Sequence, residues 1–141
     1  MIKQKLNFSV KINSKDVTIA TGTKKVVDYI TSDEEELRNI VIGISAIGHI
    51  QELCFIGGGA IFKSVITDNE CVLEWEYSAD VNMGTIYLPV PKNYDSTVEL
   101  DHEKLLSTLA VDINLDGNIE VFNFKTMFPE VADRLLNTKL L

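Results

Sequence analysis

The chain has 141 residues, of which 45% are apolar and 24% charged, enough for one domain with a buried core and far from the composition of a disordered chain. Its net charge of −8 is uneven: residues 1–25 carry six lysines against Asp16 alone (+5), whereas residues 26–141 carry seven basic and twenty acidic side chains (−13). That balance repels nucleic-acid phosphates and favours a basic partner. No apolar run is long enough to span a bilayer and no signal-peptide core opens the chain, so a soluble cytoplasmic protein is expected.

Leu6, Phe8, Val10 and Ile12 alternate with polar residues, turn chemistry occupies positions 13–16, and Val17 and Ile19 resume the alternation. This predicts an opening β-hairpin. Residues 23–30 read as a short turn. Ser32 followed by Glu35 forms a capping box, with Asp33, Glu34, Glu35 and Glu36 at the positive end of a helix dipole. Leu37, Ile40, Val41, Ile44 and Ile47 follow at spacings of three and four, so a central helix is predicted over about 33–48.

Gly57, Gly58 and Gly59 mark a loop, and residues 61–66 read as a strand. Cys71, Leu73, Trp75 and Tyr77 alternate with Val72, Glu74, Glu76 and Ser78, a strand with one wet face. Another strand covers 85–90, with Pro89 marking it as an edge strand or a strand end, and a short helix is expected within 98–107, around Leu105 and Leu106. Alternating segments 109–115 and 118–124 flank Asp116-Gly117, the strongest short-range hairpin signal in the chain. A closing helix is predicted after Pro129. The order implies a single α+β domain over 1–141, with a mainly antiparallel sheet, an N-terminal hairpin, a central helix and a C-terminal helix.

Asp112-x-Asn114-x-Asp116-Gly117-x-Ile119 resembles the first eight positions of an EF-hand or dockerin-type calcium loop, with oxygen donors at 1, 3 and 5 and glycine at 6. Position 12 is Asn123, which lacks a bidentate carboxylate, and the flanks alternate as strands rather than helices. A plain hairpin is the expectation. The triple glycine before Lys63 invites a phosphate-cradle reading, but lacks the Gly-Lys-Ser/Thr ending of a P-loop. Ser45, between Gly43 and Gly48, has one residue too many for a nucleophile elbow. His49, His102, Cys54 and Cys71 show no zinc-ligand spacing beyond a loose one between His49 and Cys54, and the two cysteines are expected as buried structural thiols.

With no nucleophile–base pair, metal cluster or dinucleotide fingerprint in the sequence, no cofactor is implied and a binding role is expected instead of an enzyme. Small acidic domains of this character suit inhibition of a basic protein such as a nuclease toxin, in the manner of bacterial immunity proteins and phage-encoded inhibitors. The candidate surface is Glu70, Glu74, Glu76 and Asp80, with Asp33, Glu34, Glu35 and Glu36 as the alternative. The rival is a small-molecule-binding module or enzyme whose pocket is assembled from scattered residues. A third is a subunit of a larger assembly that exposes Trp75, Phe122 or Phe128.

Overall fold

The computed structural model describes residues 2–68, 70–78, 80, 83–106 and 109–124. Among the described residues, eleven strands appear in chain order: β1 (Ile2–Asn13), β2 (Asp16–Ala20), β3 (Asp28–Ile30), β4 (Ile40–Ile44), β5 (Ile50–Phe55), β6 (Ile66–Thr67), β7 (Glu70–Ser78), β8 (Met83–Tyr87), β9 (Tyr94–Leu100), β10 (Leu109–Asn114) and β11 (Ile119–Phe124). Every pairing is antiparallel. The path runs β3-β4-β5-β2-β1-β7-β8-β11-β10-β9, with β6 beside β7, and curls into a half-barrel. The only helical segments among the described residues are a 3-10 turn (Glu35–Leu37) and α1 (Gly59–Phe62).

The long first strand creates the curl. Its residues 2–9 pair with β7, while residues 10–13 pair with β2, so one continuous backbone belongs to both halves. A strand shared in this way turns a corner without exposing an edge between the halves. The concave side is aromatic. Trp75 stacks between Phe8 at 5.7 Å and Phe124 at 5.6 Å, and Phe55 of β5 meets Phe122 of β11 edge-on at 5.8 Å across the interior. Trp75 and Phe122 are therefore core residues, not exposed contacts for an assembly. Phe128 lies outside the described residues.

The α+β expectation is overturned. The stretch assigned to the central helix forms the 3-10 turn and then β4, which pairs with β3 on one side and β5 on the other. Ile40, Ile42 and Ile44 are buried at a spacing of two, a pattern concealed within the three-and-four spacing read as helical. Four β-branched residues in five positions suit a strand buried between neighbours better than a helix. The capping serine still acts locally, since Ser32 Oγ accepts from the Glu34 amide at 3.1 Å, but the turn it starts ends at Leu37. Full burial of Leu37, worth about 1.5–3 kcal/mol, holds the turn down.

Other assignments also move. Residues 61–65 form the end of α1 and a turn, and of the stretch expected as a strand only Ile66 lies in one, at the start of β6. The helix expected around Leu105 is a turn closed by Leu105 N–H donating to His102 O at 3.0 Å, and Val98 belongs to β9. Residues 28–30, read as part of a turn, form β3. Both hairpins and the alternating strand at 70–78 stand as expected. The helix placed after Pro129 lies outside the described residues. Among those described, no helix is long and apolar enough to cross a membrane.

Candidate functional site

The acidic run at 33–36 forms a ledge. Leu37 points into the core, which turns Asp33, Glu34, Glu35 and Glu36 outward, all of them exposed. Arg38 Nη1 lies 3.6 Å from Glu35 Oε1, but both side chains are largely in solvent, so that pair contributes little and is screened by salt.

Beside the ledge is a cleft of about 210 Å³, and three distant segments make it. Glu36 and Asn39 form one rim, Ile56, Gly57 and Gly58 a second wall, and Gly117 and Asn118 of the β10–β11 turn the third. Its lining mixes polar backbone with the side chains of Ile56, Ile61 and Ile119, which lie over the buried Phe55, Phe62 and Leu88. The acidic run, the triple glycine and the Asp-Gly turn, unrelated in sequence, thus share one opening.

The glycine amides cannot cradle an anion because they are already bonded. Gly57 N–H donates to Asp16 Oδ1 at 2.9 Å, Gly58 N–H to Phe55 O at 3.1 Å and Gly59 N–H to Lys15 O at 2.9 Å. Gly58 has a steric role instead: a Cβ there would lie 2.7 Å from the Phe55 Cβ, so only glycine lets the loop lie against that ring's stem.

The Asp-Gly turn is built as a hairpin. Asn114 is buried, and its Oδ1 accepts from the amides of Asp116 and Asn118, each at 3.0 Å, while its Nδ2 donates to Pro91 O at 3.1 Å. Gly117 has φ +81°, the left-handed conformation this turn demands. Asp112 Oδ1 instead accepts from Thr97 Oγ1 on β9 at 2.8 Å. The Asn114 and Asp112 oxygens that a calcium loop would converge are engaged with separate partners.

The other acidic candidates sit in a different setting. Glu74 and Glu76 lie on the convex face of β7, where the register places Lys5 opposite Glu74 and Lys3 opposite Glu76. Glu70 is opposite Ser9 at the strand start, and Asp80 is exposed beyond its end. A groove of about 560 Å³ on this face is lined by Lys5 and Lys92 as well as Glu74 and Tyr87. Lys92 Nζ donates to Leu88 O and to Val90 O, the latter at 2.7 Å. Burial pushes its pKa down, against the opposing charges of Glu120 and Glu74. This face carries both signs of charge, whereas the ledge is nearly all acidic.

The remaining candidates are structural. Ser45 is buried in the β4–β5 turn, its Oγ accepting from the His49 amide at 3.2 Å, far from any strand-to-helix elbow. Cys71 is buried, and desolvation raises its thiol to about 11. Cys54 is only half-buried, a departure from the expectation for both thiols. Among the described residues no three His, Cys, Asp or Glu side chains are grouped to hold a metal ion. The sequence did not reveal the cleft or β5, whose alternation of Leu53 and Phe55 with Glu52 and Cys54 was a usable signal. It is broken where Ile50 and Gln51 are both buried beside the register shift between Gly43 and Ile44.

Comparison with protein-family models, with curated proteins and with solved structures found no match for this chain.

Proposed function

We propose that this chain is a protein-binding module that engages a basic protein, as an immunity-type inhibitor engages a basic toxin such as a nuclease. The observation that carries this reading is the ledge: four consecutive exposed carboxylates, answered among the described residues by Arg38 beside Glu35, on a chain of net charge −8. Like charges on one side of an interface steer an oppositely charged partner and mainly raise its association rate. The convex face of β7 suits this role less well, because lysines stand opposite its glutamates in register.

The test is affinity capture from the source cell, followed by association kinetics on the captured complex. Reversal of residues 33–36 to lysine is expected to slow association about tenfold or more at low salt and to flatten its salt dependence. Reversal of Glu74 and Glu76 is expected to do much less. An association rate indifferent to the 33–36 reversal and to salt would sink the electrostatic mechanism.

One observation favours the rival small-molecule reading, since the convex groove of about 560 Å³ falls in the size range of ligand sites. A metabolite that raises the melting temperature of the wild type but not of Lys5→Ala, with no stoichiometric protein captured, would decide for that rival.

A further inference from the structure

We infer that the cleft beside the ledge is an anchor pocket for one apolar side chain of the partner, flanked by a lysine or arginine that meets Glu36. This inference rests on the reading of the chain as a binder of a basic protein, and it names the recognition chemistry.

Size selects the occupant. About 210 Å³ lies below the roughly 300–1,000 Å³ of pockets that enclose drug-sized ligands or cofactors. It suits a single aromatic or branched aliphatic side chain, the kind that anchors protein interfaces in well-packed pockets. The lining agrees: Ile56, Ile61 and Ile119 offer carbon over the buried Phe55, Phe62 and Leu88, and the glycine amides in the wall are bonded elsewhere, so a polar group entering would lose its water without gaining those donors.

Charge selects what lies next to the anchor. Among the described residues, Glu36 is the only charged one lining the cleft, and Asp33, Glu34 and Glu35 continue the same sign along the ledge. A second copy of this chain carries the same net charge of −8 and is repelled overall. A basic partner presenting an apolar residue beside a cation satisfies lining and rim together.

Three capped probes test this by amide NMR titration of the full chain: N-acetyl-Phe-Lys-amide, N-acetyl-Phe-amide and Nα-acetyl-Lys-amide. The Phe-Lys probe is expected to bind in the millimolar range, with shifts concentrated at the amides of Ile56, Gly57, Asn118 and Ile119. The Phe probe should bind the same amides roughly two- to fivefold more weakly, the worth of one exposed ion pair, and the Lys probe should leave them unmoved. Glu36→Gln should bring the Phe-Lys affinity down to that of the Phe probe. Ile61→Arg, which places a long side chain at the opening, should abolish both, and the wild-type titration decides alone if that variant does not fold. Absence of cleft shifts with either phenylalanine probe overturns the anchor while leaving the ledge to its own salt test. Equal binding of the two phenylalanine probes, unchanged in Glu36→Gln, overturns the pairing with a cation.

Discussion

Lys104 Nζ lies 2.6 Å from Asp28 Oδ2, and this contact joins the two ends of the curled sheet. Asp28 opens β3, the first strand of the spatial path, and Lys104 lies in the turn that follows β9, the last. Leu106 N–H donates to Gly48 O at 3.1 Å and fastens the same turn to the β4–β5 connection. The interior of the half-barrel is held by aromatic packing and its mouth by these polar links.

The link carries a pH signature. The Lys104 hydrogen bond, with help from the Tyr29 amide and the lysine's charge, holds the Asp28 carboxyl below its usual 3.8. The same bond raises Lys104 above its usual 10.5. The aspartate's contribution is present above its unfolded pKa and lost as pH falls through the lowered folded value. The lysine's is present below its unfolded pKa and lost as pH rises through the raised one. The melting-temperature gap between wild type and Lys104→Met should therefore be small but measurable near neutral pH, and should close at both extremes. A gap that persists in strong acid would mean that the lysine's stem, not its charge, supplies the effect.

Gly48→Ala should destabilise the protein clearly more than Gly117→Ala. Both glycines have positive φ, +87° and +81°, so each alanine carries a conformational cost of about 1–2 kcal/mol. At Gly117 a Cβ meets nothing within 4 Å, whereas at Gly48 it would lie 2.5 Å from the Lys104 carbonyl oxygen. Gly48→Ala must also push away the turn that closes the mouth. Urea denaturation of the two variants measures the difference, and equal midpoints would show that this turn yields freely.

Asn114→Ala should cost about 2–3 kcal/mol, because it removes the acceptor for two backbone amides and a donor to Pro91 from a buried position. Millimolar calcium should leave the wild-type melting temperature unchanged. A calcium-dependent rise, absent in Asp112→Ala, would revive the metal-loop reading by linkage.

The two thiols should separate on alkylation of the native protein. Cys54, half-exposed on β5, should label within the time that Cys71 stays protected by burial and a pKa of about 11. Peptide mass mapping distinguishes them, and early labelling of Cys71 would mean that β7 opens locally without global unfolding.

Alternation along the chain is a local record of one face being buried. For that reason the strands at 6–12, 17–20, 71–77 and 109–124, and the turns that pair two sets of them, could be read from residues alone. The segment 40–44 shows the limit. Its apolar positions satisfy both periods, and what makes it a strand is that residues 28–30 and 50–55 arrive to bond its backbone on either side. Those partners lie outside the segment and leave no mark in its own pattern. The acidic candidates divide in the same way: their charges are legible in sequence, but only the register of β1 against β7 sets Lys5 across from Glu74, and only the burial of Leu37 turns residues 33–36 into an outward ledge. The cleft is wholly a product of tertiary structure, since its walls come from residues 36–39, 56–58 and 117–118, which the closure of the sheet brings to one opening. Periodicity states that a face is buried, and the pairing of distant strands decides against what.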